Sequence, residues 1–227
     1  MKPKDLTYPF RFKDRKLISE NGIFYLPDYL ETYEGFDPGL PLNKGPLFVE
    51  FCSGNGEWII QKAQENPEVQ FIAVEKLFPR VQKIYSKMKN LGIENLFIVS
   101  GDIHLLLTHF LPPACIDHLA INFPDPWPKD RHVKHRLFHE KFVRQIETAL
   151  KEDAELFLVT DDAPFSDWVS TALKDSLFSL EKRGLRDPIP NYGSSFFQRL
   201  WESKGLPIFY HHYLRRSYAG CKLSHEI

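Results

Sequence analysis

One short turn of this chain combines an acid, an aromatic ring and a run of cations: residues 122–132 read Asn-Phe-Pro-Asp-Pro-Trp-Pro-Lys-Asp-Arg-His. Each proline fixes its own φ and disfavours helix in the residue before it, so Asp125 is held between two stiff points. Trp127 offers a flat face of the kind on which nucleobases stack. Four basic residues that could donate to phosphates follow it: Lys129, Arg131, Lys134 and Arg136. This combination favours chemistry on a nucleic-acid base over the alternative, a proline-rich loop whose tryptophan fills the core.

The composition is that of an ordinary globular protein without a strong overall charge. The 227 residues are 43% hydrophobic and 26% charged, with a formal net charge of −1, so contact with a nucleic acid must rest on local patches. Cys52, Cys115 and Cys221 are widely spaced and show no metal-ligand pattern, which predicts no metal site and a reducing, cytoplasmic location. No secretory signal and no apolar run of about 18 residues is present, which predicts no membrane partner.

The chain is predicted to divide near residue 45. Residues 1–16 carry six Lys or Arg, and residues 27–46 are rich in proline and glycine. We therefore expect residues 1–44 to form a basic N-terminal arm and a lead-in loop, which would precede one main domain over residues 45–227.

From residue 47 onward, apolar runs typical of buried strands alternate with amphipathic helical patterns. The predicted strands span residues 47–51, 71–74, 96–99, 116–123 and 156–160, with 177–180 and 208–214 as candidate closing strands. The predicted helices lie within residues 58–63, 77–91, 137–150 and 165–173. This alternation predicts an α/β fold with a doubly wound, mostly parallel sheet and helices on both faces.

Acidic residues lie in or directly after each of the five main predicted strands. They are Glu50, Glu75, Asp102, Asp125 and Asp161. Ligands of open α/β sheets bind outside the carboxyl ends of the strands, so the series predicts one ligand site at that edge. Any single member could instead be a helix cap or a turn residue.

The turn after the first strand indicates the kind of ligand. Gly54 and Gly56 let a ligand approach the backbone closely, but Ile59 stands where a dinucleotide fingerprint needs a third glycine, and no P-loop lysine follows. Glu75 could accept hydrogen bonds from ribose hydroxyls. The pattern favours an adenosine-type cofactor without a pyrophosphate.

Two motifs resemble those of a known family. Residues 50–56, Glu-Phe-Cys-Ser-Gly-Asn-Gly, resemble the first motif of S-adenosylmethionine-dependent methyltransferases, and residues 122–132 resemble the signature of bacterial tRNA (guanine-N7)-methyltransferases. The resemblance runs in order from about residue 45 to 210. It implies a seven-stranded, Rossmann-like class I methyltransferase fold, S-adenosylmethionine as cofactor, tRNA as partner, and methylation of guanine N7 in the tRNA variable loop.

The resemblance also implies roles for individual residues. Asp125 takes the position of the catalytic acid. The cofactor positions are Glu50, Gly54, Gly56, Glu75 and Asp102. The substrate positions are Lys129, Arg131, Asp161, Ser195 and Gln198. Cys52 replaces the first glycine of the cofactor loop, and Ser195 and Gln198 replace a threonine and a glutamate, which leaves the details of base recognition open.

Three other functions fit parts of the pattern. A methyltransferase for an exocyclic base amine would use a similar Pro-rich aromatic turn, but Asp125 between the prolines argues against it. A nicotinamide-dependent oxidoreductase would need the missing third glycine. An RNA-binding module without activity would not need acids at every cofactor position. No protein partner is predicted.

Overall fold

The computed structural model describes residues 1–9, 14–185, 192–193 and 195–217. Of the predicted features, Arg11 and Lys13 of the basic arm and Cys221 lie outside these residues. Within the described residues, nine strands form one sheet in the order β1-β2-β5-β4-β3-β6-β7-β9-β8. The strands are β1 Ile18–Glu20, β2 Ile23–Leu26, β3 Leu47–Phe51, β4 Gln70–Glu75, β5 Leu96–Gly101, β6 Ile116–Asn122, β7 Leu150–Thr160, β8 Phe178–Leu185 and β9 Phe209–Arg215.

In the part of the chain that the structure describes, six α-helices flank the sheet. They are α1 Glu57–Glu65, α2 Phe78–Asn90, α3 Ile103–His109, α4 Glu140–Ala149, α5 Ala163–Ala172 and α6 Phe196–Ser203. Short 3₁₀ helices span Pro3–Asp5 and Asp130–His135. The α/β class, the mostly parallel sheet and its helical cover on both faces are confirmed. No helix among the described residues is long and apolar enough to cross a membrane.

The predicted number of seven strands is wrong, because a hairpin adds two more at one edge. Asn21 and Gly22 form a two-residue turn with φ of 54° and 79°, the left-handed pair that a type I′ hairpin requires. The second strand of the hairpin, β2, is buried throughout and pairs parallel with β5. Its four apolar residues, which follow an Asn-Gly turn, were the sequence signal for this hairpin.

The parallel strands bury both faces, which explains their continuous apolar sequences. One core cluster contains Val49 and Val74 together with side chains of α3, α4 and α5. The other contains Phe71 and Ala73 together with side chains of α1 and α2. Because β3, β4, β5, β6 and β7 run parallel, their carboxyl ends meet along one edge of the sheet.

Candidate active site

An open cleft of about 840 Å³ lies at the carboxyl ends of the parallel strands. Four of the predicted strand-end acids line it: Glu75 after β4, Asp102 after β5, Asp125 after β6 and Asp161 after β7. The prediction that these acids share one edge therefore agrees with their placement. A cleft that combines several carboxylates, cations and Trp127 suits a ligand with both polar groups and flat rings.

The glycine turn adjoins this cleft in a smaller pocket that also contains Glu50 and Ser195. The Gly54 N–H donates to Glu75 Oε2 at 2.8 Å, which ties the end of β3 to the end of β4. At Gly56, φ is 74°, and a Cβ atom would lie 2.6 Å from Ile84. Gly56 is thus required for the close approach of α1 and α2, while Gly54 faces the pocket.

Glu50 is a buried acid with one unused oxygen. Its Oε1 accepts a hydrogen bond from Asn122 Nδ2 at 2.7 Å, and the Tyr192 hydroxyl donates to the amide oxygen of Asn122 at 2.8 Å. Its Oε2 has no hydrogen-bond partner. Burial raises the pKa of Glu50 to about 8, although the Asn122 hydrogen bond opposes the shift. A cationic group of a ligand at Oε2 would offset the cost of burying this carboxylate.

Glu75 is held rigidly by backbone groups. Its Oε1 accepts from the Leu77 N–H at 2.8 Å, and Arg80 lies 3.7 Å from Oε2. Burial raises the pKa of Glu75, against the effect of these donors. Because each carboxylate oxygen can accept more than one hydrogen bond, Glu75 keeps acceptor capacity for hydroxyl groups in the cleft.

Asp102 caps helix α3 and pairs with a lysine. Its Oδ1 accepts from the His104 N–H at 2.9 Å, and its Oδ2 lies 3.1 Å from Lys76 Nζ. Although burial favours the neutral acid, Lys76 and the N–H of His104 hold the pKa of Asp102 below its usual value. Asp102 is therefore an ionised acid with both oxygens engaged.

The turn that carries Asp125 is fixed by an arginine from the segment after it. Arg136 donates from Nε to the Pro126 carbonyl at 3.0 Å, and its guanidinium lies 5.1 Å from the ring centre of Trp168. Asp125 is exposed at the cleft surface. Arg136, which the sequence predicts to be a phosphate donor, holds this turn and also lines the cleft.

Aromatic and imidazole rings surround Trp127. Its ring centre lies 5.5 Å from that of His132 and 5.2 Å from that of His135. Lys129 and Arg131 are exposed beside this group but do not line the cleft. The two cations are therefore placed for contact with a ligand that extends beyond the cleft, such as a polynucleotide.

Three residues of the cleft adopt left-handed backbone conformations that usually need glycine. Cys52, Phe123 and Trp127 have φ of 59°, 49° and 45°. Such conformations cost about 1–2 kcal/mol each and cluster at functional sites. Burial raises the pKa of the Cys52 thiol, which disfavours its reactive thiolate form.

The side chains of Ser195 and Gln198 are used within helix α6. Ser195 caps the helix by accepting from the Gln198 N–H at 3.1 Å, and the Gln198 amide donates to Glu202 at 3.1 Å. Gln198 is buried and does not line the cleft. Asp161 does line it, half-buried, and desolvation raises the pKa of its carboxyl group.

Several residues that line the cleft were not predicted from the sequence. Phe197 and Trp201 reach it from α6, and Arg80 lies 5.7 Å from the ring centre of Phe197. His104 reaches it from α3, which was not predicted. The four-residue spacing of Phe197 and Trp201 was the available signal, because it places both rings on one face of a helix. Among the described residues, no group of three or more His, Cys, Asp or Glu could hold a metal ion.

Sequence comparisons identify relatives over nearly the whole chain. A family model described as "Putative methyltransferase" matches residues 44–210. A protein of Chlamydia muridarum named tRNA (guanine-N(7)-)-methyltransferase is 42% identical over 225 residues, which are 95% of this chain and 99% of that protein. A protein of the same name from Leptospira interrogans is 31% identical over 164 residues, 72% of this chain and 76% of its own length.

Solved structures with the same fold are more distant in sequence. The 16S rRNA methyltransferase KamB has a TM-score of 0.58 at 13% identity over 76% of this chain and 88% of that one. A SAM-dependent methyltransferase from Aquifex aeolicus has a TM-score of 0.54 at 11% identity over 77% of this chain and 85% of that one. The fold is that of class I methyltransferases.

Proposed function

This chain belongs to the tRNA (guanine-N(7)-)-methyltransferase family, and we propose that its cleft transfers a methyl group from S-adenosylmethionine to N7 of a guanine in the variable loop of tRNA. The observation that carries this proposal is the meeting of Glu75, Asp102, Asp125 and Asp161 in one cleft with Trp127. Residues 45–227 would carry the catalytic residues, the hairpin of β1 and β2 within residues 1–44 belongs to the same sheet, and a tRNA substrate fits the expected cytoplasmic location.

The residues around the glycine turn fit S-adenosylmethionine. Glu50 Oε2 is buried without a partner, and it would pair with a positively charged group of the cofactor. Glu75 would accept from the ribose hydroxyls, and Asp102 would lie beside the adenine. Gly54 leaves room for close approach to the backbone. When bound, S-adenosylmethionine supplies a methyl group on a positively charged sulfur.

Methylation at guanine N7 needs positioning rather than a strong base. N7 carries a lone pair in the plane of the ring, so no proton has to leave before the new N–C bond forms. The purine would gain the positive charge that the sulfonium sulfur loses, because the bond between sulfur and the methyl carbon would break as the N–C bond forms and would leave a neutral thioether. Asp125, held in place by its two neighbouring prolines and by Arg136, would stabilise this charge and orient the ring. Asp161 would accept from donors on the other edge of the guanine.

The surface beside the cleft would bind the tRNA backbone. Lys129 and Arg131 are exposed next to Trp127, and Lys134 lines the cleft itself. These cations would neutralise phosphates on either side of the guanine, while Trp127 would stack on a base. The rest of the protein need not be basic, which is consistent with a net charge of −1.

Methyl transfer from labelled S-adenosylmethionine to bulk tRNA tests the proposal. After digestion of the tRNA to nucleosides, the label should appear in N7-methylguanosine. Label in a nucleoside methylated on an exocyclic amine would support the alternative reaction and contradict the proposed one. Cofactor and tRNA that bind separately without any transfer would leave only the RNA-binding function.

A further inference from the structure

A hydrogen-bond network between α3 and α4 fixes the orientation of one side-chain amide. The Thr108 hydroxyl donates to the His104 carbonyl at 2.7 Å, so its oxygen can only accept from Gln145, which lies 2.7 Å away. The Gln145 amide nitrogen also lies 3.3 Å from the His104 carbonyl, another acceptor. The nitrogen of Gln145 must therefore face Thr108, and its oxygen must face the His104 ring.

The amide orientation in turn fixes the tautomer of His104. Gln145 Oε1 lies 2.8 Å from His104 Nδ1. Because a carbonyl oxygen only accepts, Nδ1 carries the proton, and in the neutral ring Nε2 presents a lone pair. The ring lies edge-on to Phe142 at 5.7 Å, and His104 lines the cleft. No hydrogen bond from a described residue reaches Nε2, so it is an acceptor without a protein partner.

His104 lies at the β5 end of the cleft, directly after Asp102. Both oxygens of Asp102 accept, one from the His104 N–H and one from Lys76, and Nε2 of His104 adds an acceptor that has no described partner beside them. Three strand spacings separate β5 from β6, the strand before Asp125. At about 4.8 Å for each spacing, this is roughly 14 Å. Because the proposed function places the adenine beside Asp102 and the guanine beside Asp125, the group bound next to His104, which directly follows Asp102 and Ile103, is the cofactor base.

We propose that His104 Nε2 accepts a hydrogen bond from the exocyclic amine of the cofactor adenine and so positions the cofactor and selects adenine over a 6-oxo purine. This inference rests on the proposed function. A 6-oxo purine presents a carbonyl oxygen where adenine presents an amine, and two acceptors facing each other leave both without a partner. Such an unpaired buried group weakens binding more than a missing contact does.

Calorimetry with two ligands tests the inference at pH 8. The probes are S-adenosylhomocysteine and its inosine counterpart, S-inosylhomocysteine, which differ at position 6 of the purine. The wild-type protein should bind the adenosine form roughly tenfold or more tightly. His104→Phe keeps a flat ring without the acceptor, so it should lower this preference by about three- to tenfold. The matched control is His109→Phe, since His109 is on the same helix but stacks on Tyr33.

An unchanged preference in His104→Phe would overturn the inference while leaving the proposed function intact. If wild-type protein binds neither ligand, the proposed cofactor fails and the inference fails with it. If His104→Phe does not fold, the ¹⁵N spectrum of the histidine rings in the wild-type protein tests the inference instead. The signal of His104 is assigned as the one that disappears in His104→Gln. The Nε2 signal should be that of an unprotonated nitrogen and should shift when S-adenosylhomocysteine binds. A protonated Nε2, or no shift, would contradict the inference.

Discussion

Cys52, in the lining of the cleft, has a strained backbone conformation. Its φ of 59° is readily reached by glycine, whereas a side chain there costs about 1–2 kcal/mol. The cysteine at this place in the loop therefore reduces stability, and burial raises the pKa of its thiol, which disfavours the reactive thiolate form.

Replacing Cys52 by glycine and by alanine should separate strain from packing. Cys52→Gly should be more stable than Cys52→Ala by about 1 kcal/mol, since only alanine retains a side chain in the left-handed region. Ala63, inside α1, is the control: Ala63→Gly should lose about 1 kcal/mol, as glycine does in ordinary helices. Urea unfolding of the three variants measures both differences. Cys52→Ala equal to or more stable than Cys52→Gly would show that the turn is not strained.

Glu50 should stabilise the bound cofactor at the expense of the unliganded fold. The pKa of Glu50 is raised to about 8, against about 4.3 for an exposed glutamate, so between these pH values the folded state holds a proton that the unfolded state has released. The resulting contribution of Glu50 to the free energy of unfolding is complete below the lower value. That contribution is lost as the pH rises through 8. Above pH 8, Glu50→Gln should therefore be more stable than wild type in urea unfolding, yet bind S-adenosylmethionine about tenfold or more weakly. Equal affinity for the cofactor would remove Glu50 from the site.

At the scale of elements, the segment from Pro126 to Arg136 contains cations with two different tasks. Arg136 donates to the Pro126 carbonyl and packs on Trp168. Arg131 is exposed. Arg131→Ala should lower the slope of tRNA affinity against salt by roughly 0.7–0.9 and leave stability unchanged. Arg136→Ala should instead cost about 1.5–3 kcal/mol of unfolding free energy. Salt-dependent tRNA binding and urea unfolding measure the two effects, and a reversed pattern would contradict these tasks.

The packing of α5 on β9 should make the free energy of unfolding depend on pH. His211 is fully buried, with Ser166 Oγ 2.7 Å from Nε2 and Tyr213 3.1 Å from Nδ1. Burial, with a smaller effect of Arg183, lowers the pKa of His211 to about 4. Between pH 6.5 and 4 the unfolded chain binds a proton that the folded chain does not. The unfolding free energy should thus decrease as the pH is lowered from 6.5 to 4, by up to about 1.4 kcal/mol per pH unit.

The variant His211→Gln removes this titration. Its unfolding free energy should depend less on pH between 6.5 and 4 than that of wild type, although the variant is less stable overall. Urea unfolding at several pH values gives both curves, and parallel curves would show that His211 is not the group that titrates.

The sequence predicts those elements whose pattern is local. The central strands are continuous apolar runs, and α2 has a regular apolar face, so both follow from periodicity. Helix α3 has only seven residues. Four of them are apolar, but they lie almost next to one another and so show no helical periodicity. The role of Arg136 depends on its contact with Trp168, a residue distant along the chain, which spacing along the chain does not reveal. The acids of the cleft were predictable because topology alone places them at one edge.

At the scale of the whole molecule, the cleft depends on the parallel part of the sheet. Its acids follow β4, β5, β6 and β7, while Phe197 and Trp201 reach it from α6, near the other end of the chain. The hairpin of β1 and β2 extends the sheet beside β5. Because the cleft forms only when these segments have packed together, cofactor binding and global folding should be thermodynamically linked.

Chemical cleavage of tRNA at its methylated guanine measures the proposed methyl transfer directly. Borohydride reduction followed by aniline breaks the chain at N7-methylguanosine. Wild-type protein with S-adenosylmethionine should produce one new break, in the variable loop. Asp125→Asn keeps the shape of the side chain without its charge, so it should bind both substrates yet produce the break roughly 100-fold more slowly in a single turnover. No break with wild-type protein, or an equal rate with Asp125→Asn, would contradict the account.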